Sequence, residues 1–184
     1  MCSTGSFAEI YRANYHSGEQ RKPIALKILK DKWLQDQEQL NRFWDEAQLL
    51  THLNHSHIVK ANGICEINGL PAIIMDFIDG YDLKYLLENP NFQFSSKMAF
   101  EIASTIAKTL DDVYYHSQNQ LGENLAVLHR DIKPSNIMIN RHALVQVLDF
   151  GASRFENSAR EAETNIYEPG TQKYSSPDRR LGTK

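Results

Sequence analysis

Asp131, Lys133 and Asn136 sit close together in the segment HRDIKPSN, residues 129–136, and a further carboxylate, Asp149, follows after two short apolar runs. Those runs, residues 137–139 and 144–148, are separated by Asn140, Arg141 and His142. Short apolar runs bounded by turn-forming residues read as a hairpin. A hairpin brings its ends together, so the groups before it should approach Asp149 after it. Two carboxylates, an amide and an ammonium would then converge. Magnesium takes oxygen ligands and commonly uses one or two carboxylates, with substrate phosphates completing its shell; Asp149 and Asn136 suit that role. A hydroxyl acceptor needs a base held close to it, and Asp131 is the candidate. The chemistry this combination implies is phosphoryl transfer. A hairpin with a solvated Asp and Asn is the plain structural alternative.

Other elements must position this cluster. Residues 23–29, PIALKIL, read as a strand that carries Lys27. Residues 36–53 have helical spacing, with Leu40, Phe43, Ala47 and Leu50 on one face and Glu46 flanking it. Glu46 could point back toward Lys27, with Glu38 and Asp45 nearby, although on spacing alone a solvated helix carboxylate is the plainer reading. Residues 58–66 and 70–77 read as strands joined through Asn68 and Gly69, a strong hairpin signal. Asp82 should cap a short helix, and Ser95 or Ser96 should open a long one. The stripe Met98, Ile102, Ile106, Leu110 and Val113 on the long helix reads as buried packing. Residues 118–124 form a polar connection, and residues 152–168 read as a mobile loop.

The HRDIKPSN segment followed by Asp149, Phe150 and Gly151 resembles the protein-kinase pattern H-R-D-x-x-x-x-N and D-F-G. Lys133, two residues after Asp131, matches the serine/threonine form of that loop. The opening STGSFAEIYRA resembles the glycine-rich phosphate loop, with Gly5 at the middle glycine, Ile10 at the apolar position, and Ser3 and Ala8 replacing the outer glycines. Residues 24–27 match V-A-I-K, whose lysine pairs with phosphates and a helix glutamate. Ser176, Pro177 and Asp178 stand where the family has A-P-E, with Asp shortening the reach of Glu.

The resemblance implies an α+β, two-lobe fold of the eukaryotic-like, Hanks-type kinase catalytic domain. Residues 1–79 would form a small antiparallel-sheet lobe with one helix, and residues 80–184 the first part of a helical lobe. It implies ATP and Mg2+, with Asp131, Lys133 and Asn136 catalytic and Asn136 and Asp149 holding metal. Gly5, Ile10, Ala25, Lys27, Glu46, Met75, Asp76, Ile78 and Met138 would surround ATP, with Met75 controlling access behind the adenine and residues 76–78 forming the linker between lobes. The partner would be a protein substrate phosphorylated on Ser or Thr. Phosphate on Ser158 or Thr164 would pair with Arg130, and Thr171 would support the substrate site. Kinase domains normally continue through further C-terminal helices, so the chain reads as C-terminally shortened, with apolar surface left open on the long helix. A nucleotide- or partner-binding pseudokinase-like module and a small-molecule phosphotransferase are the competing classes.

Composition agrees with an ordinary globular chain of 184 residues, 41% hydrophobic and 23% charged. A net charge of −3 gives no electrostatic argument for nucleic acid or anionic membrane. The two cysteines, Cys2 and Cys65, form no paired spacing, as expected of a reducing compartment. No apolar run approaches the ~20 residues needed to span a bilayer, and the opening lacks a secretory signal pattern. The expectation is a cytoplasmic chain of one core, with no oligomeric state set by the sequence.

Overall fold

A computed structural model describes residues 3–118, 125–150, 154–155 and 174. Strands β1 (Ser3–Thr4), β2 (Ala8–Ser17), β3 (Gln20–Leu29), β4 (Ala61–Ile67) and β5 (Leu70–Asp76) form an antiparallel sheet in the order β1-β2-β3-β5-β4. Asn68 and Gly69 both have positive φ, 52° and 79°. This left-handed pair is what a tight two-residue hairpin turn demands, so the reading of Asn-Gly as the β4–β5 turn is correct. The structure starts β4 three residues later than the sequence pattern does. Residues 58–60 leave the sheet because Ile58 bridges Val147 instead, with the Val147 amide donating to the His57 carbonyl at 2.8 Å.

Helix α1 (Gln37–His52) packs on this sheet through Phe43, Ala47, Leu49 and Leu50, all buried. Its N-cap is Asp36, whose carboxylate accepts the Glu38 and Gln39 amides, both at 3.1 Å. That cap satisfies donors with no partner inside the helix. The core continues past the sheet: Val113, Val127, Val147 and Phe150 join Phe43, Leu50 and Ile73 in one buried cluster.

After the first sheet the chain forms β6 (Gly80–Asp82), α2 (Leu83–Glu88) and α3 (Ser96–His116). Asp82 caps α2 through the Tyr85 amide, and the Ser95 hydroxyl caps α3 through the Met98 amide. Then β7 (Val127–Leu128) precedes the polar segment, and the hairpin follows as β8 (Ile137–Asn140) and β9 (Val145–Val147), with β6 pairing against β8. The last short strand, β10 (Arg154–Phe155), pairs with β7. Asn140 organises the hairpin turn, its side-chain oxygen accepting the His142 and Leu144 amides.

Gly80 is where β6 crosses β8 too closely for a side chain. A Cβ there would lie 2.1 Å from the Ile139 carbonyl oxygen and 2.6 Å from the Asn140 Cα, both backbone atoms. Gly80→Ala is therefore expected to destabilise the fold by about 1–3 kcal/mol, as overpacking does. Chemical denaturation of the variant checks it, and an unchanged midpoint would show that the strands can separate freely.

One expectation fails in part. The α3 stripe is not buried along its length: among the described residues of α3, only Thr109 and Val113 are buried, while Met98 is 37% exposed. Helical spacing identifies the apolar face, but its burial depends on which elements lie against it. Among the described elements α3 meets β7 and β9, and it adds Val113 to the core with Ile106 packed against it. Among the described residues no helix is long and apolar enough to cross a membrane.

Candidate active site

Lys27 points from β3 into the space between the sheet and α1. Its Nζ donates to both Glu46 carboxylate oxygens, at 2.6 and 2.7 Å, and to Asp149 Oδ1 at 2.9 Å. Glu46 shares the buried stripe of α1, between Phe43 and Ala47, and only 2% of it is exposed. This settles the choice among helix carboxylates, since Glu38 instead pairs with Arg42 at the surface. Burial alone would lower the Lys27 pKa, but the Asp149 and Glu46 charges outweigh it and hold the ammonium well above its ordinary range. Burial pushes the Glu46 carboxyl up to about 7 against the pull of Lys27. The ionised form fits the geometry, because both oxygens accept from one ammonium, and a protonated carboxyl would bring an O–H donor into that pair. The Lys27 charge, opposed by burial, lowers Asp149 to about 2.

The segment between β7 and β8 is held from beneath by His129. The Asp131 amide donates to His129 Nδ1 at 3.2 Å, and His129 Nε2 lies 2.9 Å from the Leu148 carbonyl oxygen. One nitrogen accepts and the other donates, which is the neutral imidazole. Burial lowers the His129 pKa and so favours that form. The ring also packs on Phe150, with centroids 4.5 Å apart. The sequence reading gives His129 no role. It is 4% exposed, with the Leu148 carbonyl and the Phe150 ring against it, which no local pattern announces.

Around this support the polar groups converge. Lys133 Nζ donates to Asp131 Oδ2 at 2.6 Å, and Asn136 Nδ2 donates to the same oxygen and to the Asp131 carbonyl, each at 3.0 Å. The Leu148 amide donates to the Asn136 carbonyl at 2.8 Å, tying the segment to the residue before Asp149. Arg130 and Asp149 both adopt left-handed backbone, φ 63° and 61°. Such conformations cost energy for side chains of this kind and persist only when surrounding contacts enforce them. Asp131 Oδ1 is buried with no hydrogen-bond partner. A buried carboxylate oxygen without a donor is costly.

The apolar candidates gather beside this polar cluster. Met75 and Ile78 are buried members of the core, and Ile10, Ala25 and Met138 pack against it. Strand register explains part of this: Ile10 lies opposite Lys27, and Ala25 opposite Met75. Asp76 turns its carboxylate outward, accepting from Lys22 Nζ at 2.7 Å and Asn62 Nδ2 at 2.9 Å. Its amide donates to the Lys60 carbonyl, so any Asp76 contact with a base would use its carbonyl. The linker after β5 is held elsewhere too: Arg12 sits 4.6 Å above the Phe77 ring, and Arg141 pairs with Asp79. Gly5 is exposed, its amide donating to the Ala8 carbonyl at 3.0 Å. Gly151, Ser158, Thr164, Thr171, Ser176, Pro177 and Asp178 lie outside the described residues.

Among the described residues no group of three or more His, Cys, Asp or Glu could hold a metal ion. A divalent cation would depend on Asp149 and Asn136, with phosphate oxygens and water completing its shell. The donor chemistry fits a hard cation: Asp149 is firmly ionised, and Asn136, with its NH2 spent on Asp131, turns its amide oxygen away from that carboxylate.

The protein kinase domain family model matches residues 3–182. A protein of Lactococcus lactis named "Probable serine/threonine-protein kinase PknB" is 29% identical over 93% of this chain and 26% of its own length. A probable serine/threonine-protein kinase of Clostridium perfringens is 27% identical over 97% of this chain and 24% of its own. A probable receptor-like protein kinase of Arabidopsis thaliana is 34% identical over 74% and 16%. The chain thus spans about a quarter of the length of the two bacterial relatives. With the family match covering the sheet, α1 and the loop that carries Asp131 and Asn136, the chain belongs to the protein kinase domain family, as a Hanks-type catalytic domain.

Proposed function

We propose that the chain catalyses transfer of the γ-phosphoryl group of ATP to serine or threonine hydroxyls of protein substrates. The observation that carries this reading is Asp131, whose Oδ2 is fixed by Lys133 and Asn136 while Oδ1 is left buried and without a donor. A substrate hydroxyl would give its hydrogen bond to Oδ1, which aims the nucleophile and later takes its proton. Lys133, already beside Asp131, would turn its remaining N–H groups toward the charge developing on the transferring group. Lys27 would hold the α- and β-phosphates while Glu46 holds Lys27. Every ammonium proton of Lys27 now has a carboxylate partner, so nucleotide binding requires Lys27 to release one of them, and Asp149 is the more exposed. Asp149 and Asn136 would bind Mg2+, which when present neutralises phosphate charge. Ile10, Ala25, Met75, Ile78 and Met138 would enclose the adenine, with Gly5 at the phosphates and Asp76 on the linker.

In this reading residues 1–79 are the small lobe, residues 80–184 belong to the large one, and the chain works in the cytoplasm. The names of the relatives support serine and threonine as acceptors. The test is transfer of labelled phosphate from ATP, with and without Mg2+, to a generic basic protein and to the chain itself. Mg2+-dependent labelling is the expected result. ATP binding without any labelling would instead establish a nucleotide-binding module without turnover.

A further inference from the structure

The phosphate loop of this chain keeps one of the three glycines in its pattern, Gly5, while Ser3 and Ala8 occupy the outer positions. Glycines let a loop shape itself around phosphate. Here the loop is shaped from outside. After β3, a single 3-10 turn (Asp31–Trp33) lies against it. Lys30 Nζ donates to the Gly5 carbonyl at 2.5 Å, Trp33 Nε1 to the Ser6 carbonyl at 3.2 Å, and the Lys30 amide to the Phe7 carbonyl at 3.2 Å. The Phe7 ring packs between Trp33 and Phe43, with centroids 6.5 and 6.2 Å away. Phe43 is on α1, one turn before Glu46.

These bonds set the direction of the loop's donors. In a trans peptide the C=O and the following N–H point opposite ways. With the Gly5 and Ser6 carbonyls turned toward Lys30 and Trp33, the Ser6 and Phe7 amides face away from them. Neither amide has an acceptor among the described residues. Two successive amides free on one side make an anion-binding concavity.

We propose that Lys30 and Trp33 are positioning residues: they fix the carbonyls of the 5–7 loop so that its amides meet the nucleotide phosphates, taking over what the missing glycines would allow. This rests on the reading of the chain as an ATP-binding kinase. It also links the loop, through Phe7 and Phe43, to the helix that carries Glu46.

The test compares binding of Mg·ATP and of adenosine to the purified chain by equilibrium dialysis. Trp33→Phe keeps the ring against Phe7 but removes the N–H donor; Lys30→Met keeps the stem but removes the ammonium. Each is expected to weaken Mg·ATP binding about three- to tenfold, the scale of one lost hydrogen bond, and to leave adenosine binding and Tm unchanged. Lys30→Arg, which keeps a charged donor, is expected to restore ATP affinity. Equal weakening of ATP and adenosine would make the contacts merely structural and overturn the proposal, as would unchanged ATP binding in both variants. A wild-type chain that binds neither ligand would overturn the nucleotide reading beneath it.

Discussion

Asp131→Asn is expected to lower phosphoryl transfer by about 10²–10⁴-fold, the range attributed to a positioned base, with little loss of stability. The reason is local. Lys133 and Asn136 both donate to Asp131 Oδ2, so an asparagine would place its carbonyl oxygen there and keep both bonds. Its NH2 would then occupy the position of Oδ1, the buried oxygen with no donor. An acceptor for the substrate hydroxyl becomes a donor, and the alignment fails while the surrounding bonds survive. Steady-state rates with ATP and a basic protein, set beside thermal melts, check this. Wild-type rates in the variant would remove Asp131 from the mechanism. A collapse of Tm matching the loss of rate would make it a structural residue.

Lys27→Met is expected to abolish transfer and also to destabilise the fold, which changes the simpler view of Lys27 as a phosphate contact on a tolerant strand. Glu46 would remain in the core with its charge unpaired, and breaking a buried pair in this way costs about 3–5 kcal/mol. For a domain of this size that corresponds to a fall of roughly 10 °C in Tm. The loss should depend on pH. Burial already raises Glu46 to about 7 with Lys27 present, and removing the ammonium raises it further. A carboxyl whose folded pKa lies above its unfolded value of 4.5 favours the fold below 4.5, and that contribution is lost as pH rises through the folded pKa. The variant should therefore be closer to wild type at pH 5 than at pH 8. Adding Glu46→Leu to Lys27→Met should recover stability, because an apolar replacement of a whole buried pair is often neutral or better, while activity stays absent. If the single variant melts like wild type at pH 8, the Lys27–Glu46 pair is not the buried contact described above.

The two outcomes differ because the two carboxylates are held differently. Asp131 is surrounded by donors that tolerate an amide, whereas Glu46 has one charged partner in an apolar stripe. Sequence spacing shows that both are acidic residues near apolar runs. It does not show this difference.

Much of the fold is legible in the chain itself. Asp82 and Ser95 cap the helices they precede because their side chains can accept backbone amides that the helix leaves free, whereas Asp36, read as the first helical residue, is the cap of α1. Asn68-Gly69 fixes a hairpin because both residues accept left-handed backbone. The polar cluster HRDIKPSN and Asp149 were readable as one site because a hairpin must return to its start. These are local rules, carried by neighbours a few residues apart.

Tertiary structure decided the rest, through contacts that no short stretch encodes. Whether Glu38, Asp45 or Glu46 meets Lys27 depends on how α1 rotates as Phe43, Ala47 and Leu50 sink into the core. His129 becomes a neutral support only when Leu148 and Phe150 close over it. The α3 stripe is written as a helical face, yet among its described residues only Thr109 and Val113 are buried. Residue types and order determined which chemistry the chain can offer, since charge and hydrogen-bonding capacity belong to the side chains. Packing alone determined which of those groups are paired, which are buried, and that one oxygen of Asp131 has no donor.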